Sequence, residues 1–280
     1  MSDATQNLKL AFLGAGSMNG AILRGILGAG HDPQNITATV RSETRRQELE
    51  ELGINVVVTG ENPEHNARVA AESDVVFLGV KPVGITALCQ DISAALRPET
   101  VVVSVAAAIT LATMAANLPE GQPLVRSMPN TPLMVGAGVV GLSPAEAVSE
   151  QQVSIVHDLF ASSGDVHVVP ESQIDALSAI SGSGPAYAFY LAEAMANAGI
   201  ELGLDEKLAK DLARATVAGA GKMLADPSVD AAQLRRNVTS PKGTTEQAIL
   251  AFDEGGIPAI IATGAKAATA RAAQLSRELG

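Results

Sequence analysis

Along the first 128 residues, short apolar or β-branched runs alternate with stretches whose apolar residues recur every three or four positions. The runs at 8–13, 36–40, 56–58, 74–80, 100–105 and 124–128 predict strands, and the stretches at 17–29, 43–52, 83–96 and 111–118 predict helices. Strands this uniformly apolar, with helices between them, belong to a parallel sheet covered on both faces. Two further runs, 139–142 and 166–169, flank a helical pattern at 150–162 and read as strands extending the same sheet. The expected N-terminal domain is therefore a doubly wound α/β fold over residues 1–169.

After Pro170 the strand signals cease, and helices are expected at 185–197, 205–224, 231–236, 245–253 and 258–279. Pro185 and Pro258 suit a first helical turn, where a missing N–H is no loss, and Asp205 suits an N-cap. Residues 170–280 thus form an all-α second domain. Its first helix carries one charge, Glu193, and is apolar on nearly every side, so it must be surrounded. In a small helical domain that points to a subunit interface.

Composition narrows the function classes. With 30 acidic against 19 basic residues the formal charge is −11, and no five like charges run together, which argues against nucleic-acid or anionic-membrane partners. The longest apolar stretch, 101–118, is broken by Ser104, Thr110, Thr113 and Asn117 and reads as a strand plus a helix, not a membrane span. Residues 1–7 are polar and do not resemble a secretory signal. Cys89 is alone, suits a core position and fits a reducing, cytoplasmic compartment. His31, His65, His157 and His167 occur in no metal-ligand spacing and are expected at surface or loop positions. No Ser/His/Asp or Cys/His signature is present, so metal and acyl-transfer chemistry lose support.

The candidate chemistry begins at Gly14-Ala15-Gly16, followed by Ser17 and Met18. A Gly-x-Gly turn between a buried first strand and a helix lets backbone approach a pyrophosphate, whose charge the helix N-terminus attracts. The turn thus marks a Rossmann-type dinucleotide site. The third position of that fingerprint is Asn19, whose bulk should loosen the helix–strand approach, with Gly20 a candidate to compensate. At the end of the second strand, where an NAD site places an acid, the chain has Arg41 and Ser42. A guanidinium and a hydroxyl there suit the 2′-phosphate of NADPH, with a solvated arginine opening a helix as the plainer alternative. Val80-Lys81-Pro82 ends the fourth strand at the sheet edge where ligands of such folds bind.

Three other segments are rich in Gly, Pro, Ser and Thr: residues 126–132, 181–187 and 239–245. The third leads into a helix N-terminus, so its hydroxyls and N–H groups could nest a carboxylate, or Thr244 or Thr245 could simply cap the helix. The second enters the apolar helix, and its glycines suit close packing more than substrate contact.

These segments, in this order behind this cofactor domain, resemble pyrroline-5-carboxylate reductase nearly end to end. The match is carried by residues 14–18, 80–82, 126–132, 181–187 and 240–245. The resemblance implies a Rossmann domain followed by a helical dimerisation domain, with dimers often assembling into rings such as a decamer. It also implies NAD(P)H-dependent reduction of 1-pyrroline-5-carboxylate to L-proline, with NADPH favoured and NADH an alternative donor. It places cofactor contacts on Gly14, Ala15, Gly16, Ser17, Met18, Arg41, Ser42, Asn66, Val80, Lys81, Pro82, Ala106, Ala107 and Asn237. Substrate contacts fall on Ser240, Gly243, Thr244 and Thr245, with Glu171 nearby, and the loop is supplied by the partner subunit. Thr245 is the residue expected to hydrogen-bond the ring nitrogen. The chain departs from the pattern at Asn19, usually alanine, and Lys242, commonly Gly or Asn.

Two other readings compete. An NADP-dependent 3-hydroxyacid or 6-phosphogluconate type of dehydrogenase needs a lysine on the first apolar helix after the boundary, and none lies between Pro170 and Gly203. A non-catalytic nicotinamide sensor would bind cofactor without turning over the imine.

Overall fold

The computed structural model describes residues 3–60, 62 and 64–279. Among them one sheet of eight strands is formed by β1 (Leu10–Leu13), β2 (Ile36–Val40), β3 (Asn55–Val58), β4 (Val75–Leu78), β5 (Val101–Ser104), β6 (Leu124–Pro129), β7 (Gly138–Pro144) and β8 (Gly164–Val168). The order is β3-β2-β1-β4-β5-β6-β7-β8. All neighbours are parallel except β6 and β7, paired antiparallel with Ser127 opposite Leu142. The 3₁₀ turn Thr131–Val135 between them is far too short for a crossover helix, so the chain must reverse.

The helices are α1 (Asp3–Gln6), α2 (Ser17–Gly28), α3 (Glu43–Glu50), α4 (Glu64–Ala71), α5 (Ile85–Ser93), α6 (Leu111–Ala115), α7 (Glu150–Ala161), α8 (Ile174–Leu177), α9 (Gly184–Glu201), α10 (Glu206–Met223), α11 (Ala231–Asn237), α12 (Thr244–Glu254) and α13 (Ile257–Leu279). Helix α4 is absent from the periodicity reading, because only Val69 and Ala70 of its eight residues are buried.

Alternation along β1 divides the core. Leu10 and Phe12 join Ile22, Leu23 and Ile26 of α2, Leu49 of α3 and Val156, Leu159 and Phe160 of α7 on one face. Ala11 and Leu13 join Val69 and Ala70 of α4, Leu88 and Ile92 of α5 and Met114 of α6 on the other. On the first face Phe12 stacks on Phe77 at 4.6 Å between centroids, and Phe160 meets Phe77 edge-on at 5.8 Å. Burying each such ring stabilises the fold by roughly 2 kcal/mol or more, which fixes the sheet beneath α2. Cys89 lies in the second face, and burial pushes its thiol up to about 12.

Polar caps set the helix starts. Ser42 Oγ accepts from the Arg45 N–H to begin α3, Thr110 caps α6, and Ser149 forms a capping box with Gln152 at α7. One histidine departs from expectation. His31 is buried, not at the surface, with Nε2 3.0 Å from the Leu8 carbonyl, and burial lowers its pKa.

The chain divides into two compact units, Met1–Gly182 with Ala268–Gly280, and Ser183–Ala267. The first runs past residue 169 because Ile174, Leu177 and Met128 close over Gly141 and Gly182. In the second, α9 and α10 approach closely: a Cβ on Gly199 would lie 3.2 Å from that of Ala209. Phe189, Tyr190, Leu191 and Met195 of α9 are nevertheless exposed, so this apolar helix is not surrounded within one chain. No single helix among the described residues is long and apolar enough to cross a membrane.

Candidate active site

The strand order reverses direction at β1. The chain passes from β1 through α2 to β2 on one side and later returns to β4 on the other, leaving a crevice at the carboxyl ends of β1 and β4. The glycine turn lies at this point. Gly14 has φ +81° and donates its N–H to Thr39 Oγ1 at 3.0 Å, and Ala15 donates to the Thr39 carbonyl at 2.9 Å. The left-handed backbone favours glycine, and a Cβ there would meet Val80 Cγ1 at 2.8 Å. Gly16 is the N-cap of α2 with no side-chain cap bond, and a Cβ on it would approach nothing within 4 Å beyond its chain neighbours. Ser17 and Met18 open the helix. Their N–H groups belong to the unsatisfied first turn that binds anions.

Asn19 does not loosen the helix as its bulk suggests. It is buried, its Nδ2 donating long bonds to the carbonyls of Gly14 (3.4 Å) and Phe77 (3.5 Å). The compensating glycine is Gly79, not Gly20: a Cβ on Gly79 would sit 2.1 Å from Asn19 Nδ2. Gly20 instead makes room for Arg45, whose Nη2 would lie 2.5 Å from a Cβ at that position.

Around the turn, Arg41, Ser42, Val80 and Lys81 line one groove with Gly14 and Gly16, and Asn66 lines an adjoining groove of about 320 Å³ with Thr39, Arg41 and Asn62. Arg41 and Lys81 are exposed, and neither forms an ion pair among the described residues. Asn66 Oδ1 is buried without a hydrogen-bond partner among the described residues. Past β5, Ala106 is buried and takes its N–H to Ser104 Oγ at 3.2 Å, Ala107 is exposed, and Ala108 sits at φ +68°.

Glu171 begins a 3₁₀ turn and is tied to its surroundings. Its Oε1 accepts from Arg126 Nη1 at 3.1 Å and from the Leu111 N–H at 2.8 Å, while Arg126 Nη2 reaches Asp175 Oδ1 at 3.4 Å. Arg126 is almost fully buried, so one cation serves two carboxylates and the cluster carries excess negative charge.

The second unit carries the hydroxyl-rich loop. Asn237 ends α11 and accepts from Gln233 Nε2. The Gly243 N–H donates to the Ser240 carbonyl at 2.9 Å, closing a turn in which Lys242 takes φ +60° and its N–H bonds Glu246 Oε2 at 2.7 Å. The N-cap of α12 is Gly243, which has no side chain, so neither Thr244 nor Thr245 caps the helix as the simpler reading holds. Both threonines are exposed at its first turn. The remaining first-turn N–H groups are therefore open to an external acceptor.

Similarity to known proteins decides the family. Residues 171–275 match the family described as pyrroline-5-carboxylate reductase dimerisation, and residues 9–108 match NADP oxidoreductase coenzyme F420-dependent. A pyrroline-5-carboxylate reductase of Pseudomonas aeruginosa is 40% identical over 97% of this chain and 98% of its own. The chain belongs to the pyrroline-5-carboxylate reductase family. Among solved structures, the Coxiella burnetii reductase is similar with a TM-score of 0.89 and 34% identity, covering 96% of this chain and 98% of that one. The Plasmodium falciparum pyrroline carboxylate reductase, solved with NADP bound, gives 0.82 and 25%, covering 97% and 99%.

As a pyrroline-5-carboxylate reductase relative, the chain is an oxidoreductase whose helical region is a dimerisation domain, and the residues present fit a nicotinamide dinucleotide. The glycine cradle, the uncapped start of α2 and the orphaned Asn66 Oδ1 are the features such a ligand would satisfy. The residue that the sequence reading missed is Arg45, which reaches from α3 to the carbonyls of Ala15 and Gly16. Among the described residues no cluster of His, Cys, Asp and Glu could hold a metal.

Proposed function

We propose that this chain reduces 1-pyrroline-5-carboxylate to L-proline with NADPH, NADH serving as an alternative donor. The observation that carries the reading is the 240–245 loop: a turn closed by Gly243, leading to a helix start whose N–H groups and threonine hydroxyls no side chain caps among the described residues. A carboxylate-bearing substrate fits that start. Support for the family comes from the near full-length relatives, and for the cofactor from the NADP in the Plasmodium structure.

Residues 1–169 act as the dinucleotide-binding part and 170–280 as the dimerisation and substrate-binding part. Gly14, Ala15, Gly16, Ser17 and Met18 hold the pyrophosphate, Arg41 and Ser42 the 2′-phosphate, and Asn66, Val80, Lys81, Pro82, Ala106, Ala107 and Asn237 the remaining cofactor groups. The cofactor supplies the hydride. A protonated imine already carries the proton its nitrogen keeps and is electrophilic at carbon, so the protein's contribution is positioning. Ser240, Gly243 and Thr244 hold the carboxylate, Thr245 Oγ1 accepts the N–H of the ring nitrogen, and the Glu171 cluster favours the cationic form by its excess negative charge. The substrate loop comes from the partner subunit. The exposed apolar face of α9 fits burial between two copies, and the dimers assemble into a ring such as a decamer. A cytoplasmic setting suits the single buried thiol of Cys89.

The test is Thr245→Ala assayed by NADPH oxidation with pyrroline-5-carboxylate. Turnover falls by about tenfold or more, the value of a hydrogen bond to a charged group, while NADPH affinity is retained. Unchanged turnover removes Thr245 from the chemistry. Intact NADPH binding with no reduction of the imine by the wild-type chain favours a sensor.

A further inference from the structure

We propose that Arg45 is a positioning residue for the cofactor, a guanidinium clamp that fixes the two peptide planes of the glycine turn without touching the nucleotide. It lies four residues beyond Arg41, in the first turn and a half of α3, and points back across the surface of α2. Its Nε donates to the Ala15 carbonyl at 3.0 Å and its Nη2 to the Gly16 carbonyl at 3.4 Å. Glu48 Oε2 holds Nη1 at 2.6 Å from the far side. Three of the fork's donor positions are thereby committed, each to a different acceptor.

The geometry explains why this matters to binding. In a trans peptide the carbonyl and the N–H point in opposite directions, so holding the Gly16 carbonyl toward α3 turns the Ser17 N–H away from it, to the open start of α2 where an anion binds. The preceding plane is held at both ends, its carbonyl by Arg45 and its Gly16 N–H by the Gly14 carbonyl at 2.8 Å. Gly16 lacks a side-chain cap and has open space around its Cβ position, so besides the backbone bonds Gly16 N–H to Gly14 and Gly20 N–H to Gly16, both 2.8 Å, Arg45 is the side chain that holds these planes among the described residues. The space for the clamp is built in at Gly20, where a Cβ would come within 2.5 Å of Arg45 Nη2. The packing of Gly20 and the hydrogen bonds of Arg45 are separate observations that converge on one arrangement.

The inference rests on the glycine turn holding the pyrophosphate, and the experiment separates the two. NADPH and NADH dissociation constants are measured by nicotinamide fluorescence for wild type, Arg45→Ala, Arg45→Lys, Gly20→Ala and Gly16→Ala, with melting temperatures alongside. Arg45→Ala weakens NADPH and NADH by the same factor, roughly tenfold, the size of one charge-assisted hydrogen bond. Arg45→Lys, which keeps the charge but cannot span both carbonyls, shows most of that loss. Gly20→Ala keeps Arg45 and favours the helix, yet displaces the guanidinium and weakens both cofactors too. It therefore reports even if Arg45→Ala fails to fold. The KM for the imine at saturating NADPH stays at the wild-type value in all three. Wild-type affinity in Arg45→Ala or Gly20→Ala, full rescue by lysine, or a loss confined to NADPH overturns the clamp. If Gly16→Ala also binds as wild type, the reading of the turn itself falls; if Gly16→Ala weakens binding and the Arg45 variants do not, only the clamp falls.

Discussion

The two glycines of the nucleotide turn are constrained by different things, and alanine at each should separate stability from binding. At Gly14 the backbone has φ +81°, which costs a non-glycine residue about 1–2 kcal/mol. The new Cβ would also meet Val80 Cγ1 at 2.8 Å, an overpacking term of about 1–3 kcal/mol. The sum, about 3 kcal/mol, lowers the melting temperature by roughly 5 °C for a chain of this size. At Gly16 the backbone is φ −73°, ψ −159°, open to any L residue, and a Cβ approaches nothing within 4 Å beyond its chain neighbours. The only folding term is the poorer N-cap, at most about 1 kcal/mol or about 2 °C. The methyl group, however, stands where a pyrophosphate would approach the start of α2. An overpacking cost of about 2 kcal/mol there weakens NADPH roughly thirtyfold. Scanning fluorimetry without ligand and NADPH fluorescence titration read the two effects separately. Wild-type NADPH affinity in Gly16→Ala would refute the assignment, and a loss of melting temperature there equal to that of Gly14→Ala would refute the backbone argument.

Further outcomes test the surrounding framework. Arg126→Met leaves Glu171 and Asp175 facing each other without their cation and lowers stability by about 3 kcal/mol in urea unfolding. Adding Glu171→Gln recovers a good part of that, and strict additivity would argue against a coupled cluster. Lys242→Gly relieves the φ +60° backbone in the substrate loop and, after the entropy that glycine adds to the unfolded chain, raises stability by up to about 1 kcal/mol. A lower melting temperature in that variant would show that the lysine side chain contributes more than its backbone strain removes. His31 is held below its ordinary pKa of 6.5 by burial, so the folded state favours the neutral ring. Its contribution to stability is present above pH 6.5 and is lost as pH falls from there toward the folded pKa. His31→Gln should flatten that part of the acid limb in pH-dependent unfolding; an unchanged limb would place the titration elsewhere.

How much of this was legible without coordinates depends on whether the signal is local. The strands inside the sheet fall on apolar runs, because a strand buried on both faces needs apolar residues at nearly every position, as β1 and β4 have, while the part-exposed edge strands β3 and β8 show only as short β-branched runs. Helix α4 escaped because its buried side is only Val69 and Ala70, too narrow to show a period. The reversal between β6 and β7 left a trace in the short connection around Thr131–Val135, since a parallel return needs about a dozen residues. At the site, the glycine turn and the 240–245 loop could be seen because each is a contiguous segment whose backbone chemistry depends on its own residues. Arg45 could not, because its significance lies in the Ala15 and Gly16 carbonyls about thirty residues earlier and in the space left by Gly20. Asn19 was misjudged for the same reason. Its room comes from Gly79 on β4's end, and only the β1–β4 pairing brings those two positions together. Both misses involve a long polar side chain paired with a distant glycine. A pairing of this kind leaves no period in either segment, so it becomes visible only when the register between strands is known.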